Sequence, residues 1–437
     1  MSESIHVIMN EWQTRKPERG SGLEGLSLDT KADRSLVEQL EQYSMLKVTE
    51  LRAGLKIETY SFVGKLRIGN LEVTIQPKIE HSTFLNLLRY AYGFRKLKLF
   101  AKTSQRTDEV GFEDLLVNQL NAEVAELIAR GLLRTYVSRS ELLASPRGRI
   151  DLQAIAGEVG LLTATLPCTH HPRIEDSLLN QVLLAGLQMA AMIASDIGLR
   201  RQSRSLAAAF NERVSHIQLN RGVLRQAGER LNRLTIAYEP AINIINLLFE
   251  AKRVTLGETN SSSQLPGFLF DMSRFFQALV ARFLKENLPG FTFQEEYALS
   301  GVMRYLPDFN PQQHRSPTPR PDFVLLKGRQ IAAMLDAKYR DIWEKTYTRD
   351  MLFQLSLYAI SNPQKMATIL YPSISDEPSE SRIEIRDPVS GDRIARVGIR
   401  PVHLPRLDEL INAAPSREAE RRKQAFAESL AFGPRSQ

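Results

Sequence analysis

Three charged residues interrupt an otherwise apolar stretch: Asp322, Asp336 and Lys338, in RPDFVLLKGRQIAAMLDAKYRD (residues 320–341). FVLL and IAAML are apolar at every position, the composition of strands covered on both faces. KGRQ between them has the glycine and polar residues of a turn. Folded antiparallel around a three-residue loop, Gly328 to Gln330, positions 322 and 336 lie opposite each other, equidistant from Arg329. Lys338, two residues beyond Asp336, projects from the same face. Burying unpaired charge is expensive, so three charged groups converging at one end of a buried hairpin need a partner. Two carboxylates without His or Cys favour a hard, oxygen-coordinated cation, Mg2+ or Mn2+, over zinc. Such a cation beside a lysine suits phosphodiester cleavage. It polarises the phosphate and acidifies a bound water, and the lysine orients that water or offsets charge developing on the phosphorane. A plainer explanation is a structural Asp–Lys pair at a strand end. A second P-D, in YLPDFN (305–310), precedes no apolar strand, so Asp308 is expected in a loop.

A buried hairpin needs elements to cover it. DMSRFFQALVARFLKEN (271–287) before it and TRDMLFQLSLYAISN (348–362) after it read as amphipathic helices. The second carries Gln354 and Tyr358 at i, i+4, on one face. Upstream, short alternating segments predict a strand-rich N-terminal domain over 1–83. A Gly69-Asn70 turn within KIETYSFVGKLRIGNLEVTIQPKI and one short helix, Ser35 to Leu46, belong to it. The periodicity over 84–256 is helical, with a β-like interlude from Thr135 to Leu166. GETNSSSQLPG (257–267) reads as a linker. An α/β domain over 268–407, with further strands at 382–404, is followed by a basic helix and tail at 408–437. The fold class expected is therefore α/β, multidomain.

Composition removes several function classes. With 437 residues the chain has room for two or three cores. Its single cysteine, Cys168, excludes an internal disulfide and a cysteine-based zinc site, and fits a reducing cytoplasm. MSESIHVIMNEWQ has neither the basic start nor the apolar core of a signal peptide. The longest apolar run, SLLNQVLLAGLQMAAMIASDIG from Ser177, is broken by Asn180, Gln181 and Gln188 and fits a buried helix rather than a membrane span. A cytoplasmic protein without membrane contact is expected. The sequence has no G-x-x-x-x-G-K-[ST] loop, H-E-x-x-H or G-x-S-x-G, so no nucleotide bound by this chain is expected. His170 and His171 are adjacent and poorly placed to share a site. Lys and Arg total 57 against 50 Asp and Glu, a balance compatible with a polyanionic partner. The arginine clusters PRGRID (146–151), LRRQSR (199–204) and NRGVLRQAGERLNR (220–233) are equally explained by solvated helix faces.

The order of helix, strands bearing P-D and D-x-K, and helix bearing Q-x-x-x-Y resembles the PD-(D/E)xK nuclease core. Within that superfamily the chain is similar to the McrC family, nuclease subunits of McrBC-type 5-methylcytosine-dependent restriction systems. FVGKLRIGNLEVTIQPKI, FLNLLRYAYGF, PRGRIDL, LFDMSRFFQALVARFL, PDFVLL…MLDAKYR and RDMLFQLSLYA carry the resemblance in that order along nearly the whole chain. It implies a Mg2+-dependent endonuclease that cuts modified double-stranded DNA beside a McrB-like AAA+ GTPase hexamer. The N-terminal region would dock on that hexamer and stimulate GTP hydrolysis. By matching position, Asp322 and Asp336 would be metal ligands and Lys338 the catalytic lysine. Gln354 and Tyr358 would stand behind them or at the scissile strand, and Arg320 and Arg340, flanking the motif, are candidate DNA contacts. One position departs from the family: a glutamate of the preceding helix that can join the metal site is Gln277 here, in RFFQAL. An amide oxygen can ligate but brings no charge, so Glu286, Glu295 or Glu296 are alternatives. Two rival readings remain: a catalytically impaired activator or scaffold of the GTPase ring, and a stand-alone nuclease of the same fold.

Overall fold

The alternation around Gly69-Asn70 forms the expected hairpin, with strands Phe62–Ile68 and Leu71–Gln76 pairing Ile68 to Leu71 and Leu66 to Val73. Strand Ile5–Asn10 adds in parallel to Leu71–Gln76, and strand Gly267–Asp271 closes the other edge, beside Phe62–Ile68. The computed structural model describes residues 5–94, 111–157, 165–210, 213–256, 267–306, 308–310, 312–340, 348–375 and 378–434. Apart from Gly267, the stretch read as a linker lies outside them. A second small sheet, Thr14–Arg15, Gly54–Thr59 and Leu46–Leu51, packs against helix Lys31–Gln42. That helix begins earlier than Ser35 because the Thr30 hydroxyl caps it, accepting from Asp33 N at 3.0 Å. It ends before Leu46, which opens a strand.

The chain divides into two compact units, one made of Met1–Tyr92 with Leu269–Gln437, the other of Gly93–Phe268. The strand-rich first segment and the last segment thus share one unit, where sequence patterning suggests two domains. The reason is local. Strand Gly267–Asp271 runs directly into helix Met272–Asn287, with the Asp271 carboxylate accepting from Ser273 N at 2.9 Å as its cap. Helix His81–Tyr92 packs on that helix, Phe84 meeting Phe275 at 5.3 Å and Phe270 at 6.4 Å between ring centroids. It therefore belongs to this unit and not to the helical region.

Beyond helix Met272–Asn287 stands a six-stranded mixed sheet, ordered Thr292–Glu295, Phe323–Lys327, Gln330–Ala337, Met366–Ser373, Arg393–His403 and Ser381–Arg386. Helix Arg349–Ser361 links Gln330–Ala337 to its parallel neighbour Met366–Ser373 and covers one face. Leu355, Tyr358 and Ala359 from the helix join Val324, Met334, Ile369 and Val397 from the sheet in one core. The other face is covered by helices Met272–Asn287 and Arg417–Phe432. Where one basic helix and a tail were expected over 408–437, two helices stand, Leu404–Asn412 and Arg417–Phe432, whose apolar stripes are buried. Phe426 meets Phe283 at 5.8 Å, and the buried Arg400 donates to the carbonyl of Leu430 at 2.6 Å.

In the second unit, helices Phe112–Arg130, Leu178–Ile193, Ile197–Ala208, Arg221–Glu229 and Glu239–Leu256 pack beside a small sheet of Arg139–Leu143, Leu166–His170 and Arg149–Ile150. Gly186 permits close helix contact, since a Cβ there would lie 2.4 Å from Ile245 Cδ1. The buried Asn180 side chain ties loop to helix, donating to the carbonyls of Leu133 and Glu175 and accepting from Tyr238 Oη. No described helix is long and apolar enough to cross a membrane. Because Phe426 fills the interface with Phe283, Phe426→Ala should destabilise the first unit by about 3 kcal/mol, as for other buried aromatic truncations. Denaturant unfolding of the full chain measures this, and a dispensable tail would show no change.

Candidate active site

The local geometry at Asp322 and Asp336 is decided by one extra residue. The hairpin turn is a two-residue loop, Lys327 pairing with Gln330, and Gly328 adopts φ +63°, the left-handed region open to glycine. That register alone would place position 322 opposite 335. A bulge intervenes: Leu326 pairs with Ile331 but Leu325 with Ala333, leaving Ala332 unpaired. Phe323 then faces Leu335, and one step on Asp322 comes opposite Asp336. The expected juxtaposition is present, although the loop is shorter than expected and the bulge supplies the missing residue.

Both carboxylates lie on the face that carries Val324 and Met334, beneath helix Arg349–Ser361. Asp336 is 1% exposed. Lys338 Nζ stands 2.7 Å from Asp336 Oδ2, and apart from Lys338 and the facing Asp322 no described residue bonds to the Asp336 carboxylate. Asp322 Oδ2 accepts from Ala337 N at 2.8 Å, stitching the carboxylate to the opposite strand. Its carbonyl accepts from Glu296 N at 3.0 Å. Lys338 N donates to the carbonyl of Leu370 at 2.9 Å, continuing the parallel pairing of Asp336 with Ile369. The lysine side chain remains 31% exposed, so its stem is packed while its head can meet a solvent-borne group.

Burial first, and then the charge of Asp336, push the Asp322 carboxyl up to about 6, against the opposing influence of Lys338 and the Ala337 N–H. For Lys338, burial works against the charged form, but Asp336 and Asp322 outweigh it and hold the ammonium above its ordinary value. Burial also raises the Tyr358 hydroxyl, to which Gln354 is bonded. That hydroxyl accepts from Gln354 Nε2 at 2.8 Å and donates to the carbonyl of Arg320 at 2.9 Å. Gln354 and Tyr358 therefore clamp the backbone leading into Asp322. Arg320 is exposed, and Arg340, also exposed, lies over the Trp12 ring at 5.9 Å.

Of the other candidates, Glu286 and Glu295 lie away from this pair, while the backbone of Glu296 adjoins Asp322. Gln277 is half-buried on the helix that packs against strand Gln330–Ala337, next to Phe276, whose ring lies 6.0 Å from that of Tyr339. Glu286 stands about 13 Å further along that helix, held by Arg282 at 2.8 Å and Tyr90 at 2.5 Å. Glu295 pairs with Phe323 and so faces away from Asp322, and both Glu295 and Glu296 are exposed. Among the described residues no three acidic, histidine or cysteine side chains are grouped to share a metal ion. Asp308 lies in a loop, exposed, as expected. Sequence reasoning missed three contributors here: the Ala337 amide, the Arg320 carbonyl and the bulge at Ala332. Main-chain groups carry no residue-type signal, and a bulge at an alanine carries none either.

A family model described as "McrBC 5-methylcytosine restriction system component" matches residues 57–372, which include both carboxylates, Lys338, Gln354 and Tyr358. The chain belongs to this McrBC family. Among solved structures it is similar to a chain of the half-complex refined from a tetradecameric assembly of Thermococcus gammatolerans McrB AAA+ hexamers with bound McrC. The identity is 19% and the TM-score 0.59, with 97% of this chain and 99% of that chain covered. A chain of the cryo-EM structure of the Thermococcus gammatolerans McrBC complex also matches, at 19% identity and TM-score 0.46, covering 66% of this chain and 89% of that one. No curated protein matches. The mixed α/β fold of this McrBC-family chain is thus shared along nearly its whole length with a chain of that half-complex.

The raised Asp322 carboxyl makes a stability prediction. An unfolded aspartate titrates near about 4, so in the chain without divalent cation the protonated form favours the fold. That contribution is full below about 4 and is lost as pH rises through about 6. The melting temperature in chelator should therefore drop between about pH 4 and 6, and Asp322→Asn should remove that part of the slope. A wild-type slope unchanged by the substitution would contradict the assignment.

Proposed function

We propose that the chain is the DNA-cutting subunit of a McrBC-type, modification-dependent restriction system. In this reading it is a Mg2+-dependent endonuclease with a PD-(D/E)xK core that works with a McrB-like AAA+ GTPase hexamer and stimulates its GTP hydrolysis. The observation that carries the proposal is the Asp336 carboxylate. It is buried and faces Asp322, and the one cation beside it among the described residues is Lys338, 2.7 Å away.

A buried carboxylate pair sharing one ammonium is under-compensated, and a hard divalent cation restores the balance. Asp322 and Asp336 are the residues that would hold it, with Mg2+ preferred and Mn2+ able to replace it. Two carboxylates suffice for Mg2+, which keeps several waters and takes further oxygens from phosphate. Bound there, the cation would supply phosphate polarisation and a more acidic water. The chain's own groups do the rest. Lys338, held charged by both aspartates, presents a cation to the oxygen on which charge develops or orients the attacking water. The Gln354–Tyr358 pair fixes the Arg320 carbonyl and so the approach of Asp322. Exposed Arg320 stands beside the site as a phosphate contact, while Arg340, occupied by Trp12, has less freedom for that role.

The partner is proposed on the likeness to a chain of an assembly described as McrB AAA+ hexamers with bound McrC. The lack of a phosphate loop in this sequence fits a division of labour in which the partner handles nucleotide. A second reading, an activator whose own cutting is impaired, is favoured by Gln277 and by the lack of a third grouped acid among the described residues.

Cleavage of a methylated plasmid with partner, GTP and Mg2+ separates these. Asp336→Ala and Lys338→Ala should each lower cutting by about a thousandfold, the scale of losing a group that stabilises the transition state, while GTPase stimulation persists. Wild-type stimulation without nicking in Mg2+ or Mn2+ would establish the impaired activator, and cutting without partner or GTP the stand-alone enzyme.

A further inference from the structure

The residue after Lys338 is buried and turned toward the opposite face of its strand. Tyr339 is 4% exposed, rests against Phe276, and donates its hydroxyl hydrogen to Glu11 Oε1 at 2.6 Å. Glu11 is 1% exposed and immediately follows strand Ile5–Asn10 of the N-terminal sheet. The same oxygen accepts from Lys78 N at 2.8 Å, and Glu11 N donates to the Gln76 carbonyl at 3.0 Å. Trp12, next in sequence, meets Tyr60 edge-on at 6.2 Å and lies beneath the Arg340 guanidinium. Its φ of +57° is unusual for a bulky side chain, a conformation that persists only where the surroundings over-determine it. Two consecutive residues of the N-terminal segment thus hold the two consecutive residues that follow Lys338.

We infer that Glu11 is a positioning residue of the nuclease site and fixes Lys338 through Tyr339. The inference rests on the nuclease reading above. Lys338 and Tyr339 follow strand Gln330–Ala337 directly, one tied to the Leu370 carbonyl through its amide and the other to Glu11, so moving the Lys338 backbone away from Asp336 would pull Tyr339 from Glu11. A carboxylate acceptor makes the shorter and stronger hydrogen bond, and 2.6 Å is the distance expected of a hydroxyl donating to one. A neutral glutamine would serve plain packing at less desolvation cost. Rigid support behind a reactive group matters because small misplacements are amplified in rate. The N-terminal sheet is in this way part of the frame of the site. It also reaches the site by a second route, since its edge strand continues into the helix that carries Phe276.

Two readouts on the full chain test this with Tyr339→Phe, Glu11→Ala, Glu11→Gln and the double variant Glu11→Ala/Tyr339→Phe. Tyr339→Phe removes one oxygen and leaves the ring packing intact. The first readout is hydrogen exchange at the Lys338 amide, which bonds to Leu370 O. It should accelerate about tenfold or more in Tyr339→Phe and Glu11→Ala while Val324 and Met334 in the same hairpin stay protected, as for a local opening. The second readout is cleavage with partner, GTP and Mg2+. Tyr339→Phe and Glu11→Ala should each lose about tenfold in kcat with KM for DNA unchanged, the double no more than either, and Glu11→Gln, which keeps an acceptor, should retain most of the rate. GTPase stimulation should not change. Unaltered exchange at Lys338 in Tyr339→Phe, or losses that multiply in the double variant, would overturn the inference. If the wild type itself does not cut, the nuclease reading falls, and the exchange measurement still decides whether Glu11 positions Lys338.

Discussion

A buried carboxylate set between one ammonium and a second carboxylate is the constraint around which the first unit is arranged. Asp336 sits in a central strand of the six-stranded sheet, between an antiparallel neighbour that brings Asp322 and a parallel one that takes the backbone onward. An ionised group there is tolerated only beside compensating charge, and among the described residues that charge is Lys338. One ammonium for two carboxylates leaves the site short of positive charge. The rise of the Asp322 carboxyl is the electrostatic expression of that shortage, added to burial. In the proposed function a divalent cation would supply that missing charge.

Geometry at this site depends on backbone features more than on side-chain identity. The unpaired Ala332 shifts one strand by a residue, and without that shift the side chain opposite Asp322 would be the apolar Leu335. The Tyr358 hydroxyl and the Ala337 amide then secure the segment around Asp322 from two directions. The helix that supplies Tyr358 buries Leu355 and Ala359 against the same sheet face, so its packing and the clamp reinforce each other.

The proposed function gives partner docking and DNA cutting to separate segments of the sequence, but those segments fold into one unit. The N-terminal sheet shares Phe84, Phe270 and Phe275 with the helix leading to the hairpin of Asp322 and Asp336, and Glu11 and Trp12 touch the segment that follows Lys338. A load on that sheet would therefore be felt by residues next to the site, a coupling through packed and hydrogen-bonded contacts that needs no separate relay.

Much of the local structure was legible in the sequence, because hydrophobic periodicity and turn residues act over short range. The Gly69-Asn70 hairpin, the strands around Asp322 and Asp336 and the helix bearing Gln354 and Tyr358 all follow from such patterns. The facing of Asp322 and Asp336, and the closeness of Lys338 to Asp336, were inferred from chain geometry alone and are present. Four things were not legible. They are the bulge, the separation of Glu286 and Glu295 from the pair, the docking of the last helix, and the contact of Glu11 with Tyr339. The bulge is a main-chain feature without residue-type signal, and the others depend largely on which surfaces meet across long stretches of chain: Phe426 on Phe283, Tyr90 on Glu286, and Glu11 on Tyr339. The sequence by itself determined which residues could do chemistry and which short segments would carry them. Only the tertiary structure decided which carboxylates share a face and what braces the lysine, because burial and hydrogen-bond partnership at these positions are set by contacts between distant elements.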